Sequence, residues 1–76
     1  MKVTITLRGT LKKYFGDDKE RVYEVPEGCT CDEALKIAGI DYREIKNFGF
    51  VSVNNKRVMI DDRLNDGDLL KAFSKV

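Results

Sequence analysis

The sequence contains no histidine and no tryptophan. The side chain most often used as a general base near neutral pH, which is also the commonest metal ligand, is therefore missing. There are two cysteines, Cys29 and Cys31, with one residue between them. That span is too short for an ordinary structural disulfide, whose geometry is demanding. Two thiolates without histidine or further cysteine also fall short of the four ligands of a structural zinc site. Reduced thiols in a reducing compartment are expected, with no metal and no cofactor. No apolar run approaches the ~20 residues of a transmembrane helix. Met1-Lys2-Val3-Thr4 reads as the start of a strand rather than a signal peptide. A cytoplasmic location without membrane contact is the expectation. Charge of one sign is not in excess either: 14 Lys and Arg stand against 13 Asp and Glu, a formal net charge of +1. The signs are mixed along the chain. A nucleic-acid-binding domain of this size is more often clearly basic, so no nucleic-acid partner is expected.

The 76 residues suffice for one domain, 1–76. A chain this short buries roughly 60% of its unfolded surface, and its stability is expected on the order of 4–11 kcal/mol. That leaves room for one core but not for a deep catalytic cleft, and the chain is not expected to be an enzyme.

Val3, Ile5 and Leu7 alternate with Lys2, Thr4, Thr6 and Arg8, the period-two pattern of a strand with one buried face. Gly9 to Gly16 is a connection in which Leu11-Lys12-Lys13-Tyr14-Phe15 forms a helical turn that tucks Leu11 and Phe15 inward. Arg21 to Val25 is a second strand, with Tyr23 and Val25 on one face, ended by Pro26, which lacks the N–H a ladder needs. Thr30-Cys31-Asp32-Glu33 fits a capping box. The helix it opens runs to about Ala38, lays Ala34, Leu35 and Ala38 on the sheet, and stops at Gly39. Asp41 to Asn47 is a connection flanked and anchored by Ile40 and Ile45. Phe50 to Val53 is a third strand, Asn54-Asn55 a tight hairpin turn, and Lys56 to Val58 the return strand. Asp66-Gly67-Asp68 turns into a last strand, Leu69 to Phe73. Asp61, Asp62, Asp66 and Asp68 do not match the spacing of a calcium loop.

One helix crossing one face of a mixed sheet of four to five strands is an α+β roll. The first and last strands are expected side by side in its middle, joined through a right-handed crossover.

Three segments carry a resemblance. Pro26-Glu27-Gly28-Cys29-Thr30 precedes the helix. Val51-Ser52-Val53-Asn54-Asn55 and then Leu64-Asn65-Asp66-Gly67-Asp68 follow it at fixed order. Together they resemble the ThiS and MoaD family of ubiquitin-like β-grasp proteins, the thiamine sulfur carrier and the small subunit of molybdopterin synthase. Leu11-Lys12-Lys13-Tyr14-Phe15-Gly16 is similar to the early loop of the molybdopterin branch. The resemblance spans essentially the whole chain. It implies a β-grasp fold, sulfur carriage for cofactor biosynthesis, and a protein partner: an ATP-dependent activating enzyme or a cofactor-synthase large subunit. Family members carry sulfur on a terminal Gly-Gly, whose carboxylate is adenylated and then converted to a thiocarboxylate. Phe73 matches the family's last-strand aromatic. Ser74, Lys75 and Val76 lie where the family's tail begins, and no Gly-Gly follows. The expectation is a sulfur-carrier-like protein that acts by docking. A pure interaction or regulatory module without sulfur transfer is the alternative, and an RNA-associated β-grasp regulatory domain a second. A monomer is expected when the chain is alone.

With Val51, Val53, Leu70 and Ala72 facing the helix, alternation puts Phe50, Ser52, Leu69, Lys71 and Phe73 outside. Arg8 and Arg57 rim this patch, the expected partner-binding surface. Cys31, in the first helical turn, is the candidate reactive thiol, because the helix dipole lowers a thiol pKa. Asp32 and Glu33 beside it act against thiolate formation.

Overall fold

The computed structural model describes residues 1–75. Val76 of the expected tail lies outside the described residues. Strand β1 (Lys2–Arg8) buries Val3, Ile5 and Leu7 as the alternation requires. A 3-10 turn over Gly9–Phe15 then sinks Leu11 and Phe15 into the core. Next come β2 (Glu20–Glu24), helix α1 (Cys31–Ile37), β3 (Phe48–Val53), β4 (Lys56–Val58) and β5 (Leu69–Ser74). The sheet order is β2-β1-β5-β3-β4. β1 and β5 are parallel neighbours at its centre, and the other pairings are antiparallel.

The capping box forms: Thr30 Oγ1 accepts from the Glu33 N–H at 3.2 Å, and Glu33 Oε1 accepts from the Thr30 N–H at 3.0 Å. The next two free amides of the helix start, Cys31 and Asp32, donate to Asp62 O and Ile60 O. The loop after β4 therefore occupies the donors that a helix start normally offers to solvent. At the other end Gly39, at φ +84°, closes a Schellman motif, with Gly39 N–H on Lys36 O and Ile40 N–H on Leu35 O. Cys31, Ala34 and Leu35 of α1 are buried with Leu70 and Ala72 of β5, Val51 of β3 and the inward residues of β1.

Asn54 and Asn55 both take positive φ, as a two-residue hairpin turn demands. Asn54 also ties the turn to β5: its Nδ2 donates to Asp68 Oδ1, and its Oδ1 accepts from the Leu69 N–H. Asp66 accepts from the Lys2 N–H and Gly67 N–H donates to Lys2 O, so the turn before β5 is stitched to the start of β1.

Three details depart from the sequence reading. The connection after α1 contains a 3-10 turn, Tyr42–Glu44, and Ile45 is only half-buried against the core. β3 starts at Phe48 rather than Phe50, and its register on β5 slips between those residues, pairing Phe48 with Ser74 and Phe50 with Phe73. β5 accordingly runs on to Ser74. The slip is a β-bulge at Gly49. It lets Phe48 pack toward the core and against Tyr42 while Phe50 faces outward, which strict alternation forbids.

Candidate functional site

The side of the sheet away from α1 is organised in cross-strand rows. One row runs Arg8, Phe73, Phe50 across β1, β5 and β3. The Phe50 and Phe73 rings stack with centroids 4.5 Å apart and planes 10° from parallel. Arg57 stands opposite Ser52 on β4 but reaches diagonally, placing its guanidinium carbon 4.7 Å from the centroid of the Phe50 ring. Both rings remain partly accessible.

The adjoining row runs Glu20, Thr6, Lys71, Ser52, Arg57. Lys71 Nζ donates to Asn55 Oδ1 at 3.0 Å, steadying the ammonium at the hairpin. Ser52 lies in the outward row as expected but is only 6% exposed. Its cross-strand neighbours are Lys71 and Arg57, whose long aliphatic stems are the kind that shield a small residue between them. Thr6, between Glu20 and Lys71, is nearly buried as well.

The structure therefore brings Phe50, Phe73, Arg57 and Arg8 together and sets Leu69 apart. Leu69 is on the same face but four residues from Phe73, about 13 Å along the strand. It sits in the row of Thr4 and the exposed Val22. It also lines a groove of mixed charge, with Arg8, Lys12 and Lys19 alongside Asp17, Asp18 and Glu20. Among the described residues no carboxylate lies within ion-pair distance of Arg8, Arg57 or Lys71. Cations outside ion-pair contact beside partly accessible aromatic rings have the composition of a protein-docking patch, where Arg, Phe and Tyr are enriched.

Cys31 does not have the environment the helix start suggested. It is fully buried, and burial first, then the charge of Asp62, pushes its thiol up from an ordinary 9.0 to about 11. Cys29 is also buried, and its thiol is likewise raised, by burial and by Glu33. The dipole argument fails because the helix-start amides are engaged by the Ile60 and Asp62 carbonyls and the thiol is shielded from solvent. Among the described residues there is no cluster of three or more His, Cys, Asp or Glu arranged to hold a metal ion. None of their helices is long and apolar enough to cross a membrane.

At the end of β5, Ser74 Oγ accepts from the Thr10 N–H at 3.0 Å, and the Lys75 N–H donates to Asn47 O at 2.6 Å. In the sequence Thr10 and Asn47 fall in connections and Gly49 falls just before the expected start of the third strand. The visible signal was a glycine interrupting a strand-like run, which marks bulges and close backbone approach.

The ring pair on a mixed sheet backed by one helix is built on a ubiquitin-like β-grasp, and solved structures share that fold over the whole chain. A Pyrococcus furiosus protein assigned as subunit 1 of molybdopterin converting factor superposes with a TM-score of 0.75 at 23% identity, covering 100% of this chain and 99% of its own. Small archaeal modifier protein 1 of Haloferax volcanii gives 0.80 at 16% identity, with 99% and 98% covered. The complex of subunits 1 and 2 of molybdopterin-converting factor from Helicobacter pylori contains a chain that gives 0.66 at 14% identity, with 100% and 96% covered. No protein-family model matches the sequence, and no curated protein matches it either.

Proposed function

We propose that this chain is a sulfur-carrier-like protein of cofactor biosynthesis, not itself an enzyme, that works by docking its outward β3–β5 face onto a partner enzyme. The observation that carries the docking is the half-exposed Phe50–Phe73 pair with Arg57 stacked on it and Arg8 in the same row. Buried at an interface, such rings become anchors, and guanidiniums without an ion pair among the described residues select a partner surface that offers carboxylates. The partner class is an ATP-dependent activating enzyme or a cofactor-synthase large subunit. The β-grasp chain of the Helicobacter pylori complex, paired there with a second subunit, supports a protein partner. The net charge of +1 and the mutual stacking of the two rings, which occupies faces a nucleobase would need, weigh against RNA.

The test is incubation with an activating enzyme from the same genome, ATP and a sulfur donor, followed by intact-mass measurement and a binding titration. A C-terminal thiocarboxylate, seen as one oxygen replaced by sulfur, supports carriage. Complex formation with unchanged mass leaves a docking module and removes the transfer chemistry. No complex and no mass change contradict both.

A further inference from the structure

Two loops far apart in sequence converge on the end of β5. Gly9, at φ +67°, lies so close to Ser74 that a Cβ there would stand 2.1 Å from Ser74 Oγ. A Cβ on Gly49 would stand 2.9 Å from Phe73 O and 3.0 Å from the carbonyl carbon of Ser74. Thr10 N–H binds Ser74 Oγ, and Lys75 N–H binds Asn47 O. Asn47 Nδ2 donates in turn to Thr10 Oγ1, closing the two loops over the strand.

A terminal strand ordinarily frays unless something ties it down. Fixing a residue's backbone costs roughly 1–2 kcal/mol of conformational entropy, which packing in a core usually offsets. Ser74 and Lys75 lie outside the core, yet two hydrogen bonds hold them, a third joins the two loops that make them, and two glycines let those loops come close.

We infer that Gly9-Thr10 and Asn47-Phe48-Gly49 form a clamp that fixes the direction in which the chain leaves β5, with Ser74 and Asn47 as its positioning residues. The bulge at Gly49 adjoins both features: Phe50, paired with Phe73, follows it directly, and at the bulge the backbone of β3 comes against Ser74. The docking patch and the exit of the chain are thereby held in one rigid relation. A partner gripping the patch then receives the segment beyond Ser74 at a set place. This last step rests on the carrier reading above, whereas the clamp itself does not.

Amide hydrogen exchange on the free protein tests the clamp. The Lys75 amide is expected to exchange about tenfold or more slowly than an unstructured amide. Ser74→Ala and Asn47→Ala are each expected to return it toward the unstructured rate while Leu70 and Ala72 keep their protection and Tm barely moves. An unprotected Lys75 amide in the unaltered protein overturns the clamp, as does protection that both variants retain. In the activation assay, Ser74→Ala should slow appearance of the sulfur-containing mass severalfold at unchanged affinity for the enzyme. Equal rates overturn the positioning role. If the unaltered protein forms no such mass, the carrier reading fails, and the exchange data still decide the clamp.

Discussion

The ring of Phe73 lies flat on the ring of Phe50, 4.5 Å between centroids, because the two are register partners on adjacent strands, and the β3–β5 register slips only beyond them, at Gly49. Without the slip, Phe48 and Phe50 would share one face. The slip instead gives one phenylalanine to the core side and one to the outer face, where the Arg57 guanidinium lies 4.7 Å from its ring centroid.

Replacing Phe73 with alanine removes the stack, which is worth about 0.5–1.5 kcal/mol beyond area burial. The ring is half-exposed, so the fold should survive with a stability loss of about 1–2 kcal/mol by urea denaturation. Partner affinity should fall by about thirtyfold, the ~2 kcal/mol of an interface anchor. Equal affinity would place the interface elsewhere.

The two turn asparagines should behave differently. Asn54 holds positive φ and makes two side-chain hydrogen bonds to the Asp68-Leu69 segment. Asn54→Ala should cost about 2–3 kcal/mol. Asn55 also has positive φ, but its side chain accepts only from Lys71. Asn55→Gly creates the Asn-Gly pair best suited to this turn and should be neutral or slightly stabilising. Urea midpoints of the two variants decide the point.

The capping box should show in the pH dependence. The Glu33 carboxyl is held below its ordinary value, first by the Thr30 backbone amide and then by the Thr30 hydroxyl. A depressed carboxylate contributes stability above its unfolded pKa and loses it as pH falls through the folded one. Glu33→Gln should therefore flatten the fall in stability below about pH 4.5, the ordinary value for this group. Thr30→Ala should cost about 0.5–2 kcal/mol at neutral pH. Thermal unfolding from pH 3 to pH 7 measures both.

Both thiols should be unreactive while the protein is folded. At pH 8, a disulfide reagent should leave Cys29 and Cys31 untouched over a time in which the unfolded chain reacts fully. For Cys31 the folded pKa is raised, so its contribution to stability is complete below the ordinary 9.0 and is lost as pH rises toward about 11. Cys31→Ser places a hydroxyl at that fully buried position and should destabilise by about 1–3 kcal/mol.

Much of this was legible in the sequence because local rules act over a few residues. The Val3-Ile5-Leu7 alternation, the Thr30–Glu33 box, the Gly39 stop and the Asn54-Asn55 turn each rest on short-range sterics or hydrogen bonds, and each formed. So did the central pairing of β1 with β5, which follows from chain connectivity. Alternation also placed Phe50 and Phe73 on one face. The four-residue spacing of Leu69 and Phe73 already separated them along the strand, but alternation could not show that Ser52 is nearly buried, because that depends on its neighbours across three strands. The thiol expectation failed for a related reason. Helix dipoles are local, but the burial and the Asp62 charge that set the Cys31 pKa arrive from distant parts of the chain.

The most direct measurement is a chemical-shift titration of isotopically labelled protein with an ATP-dependent activating enzyme from the same genome. The amides of Arg8, Phe50, Arg57, Lys71 and Phe73 should shift or broaden together, with those of Ala34 and Leu35 on α1 unmoved. Perturbations confined to α1, to the loop from Asp61 to Leu64 or to the β2 edge would contradict docking through the Phe50–Phe73 face.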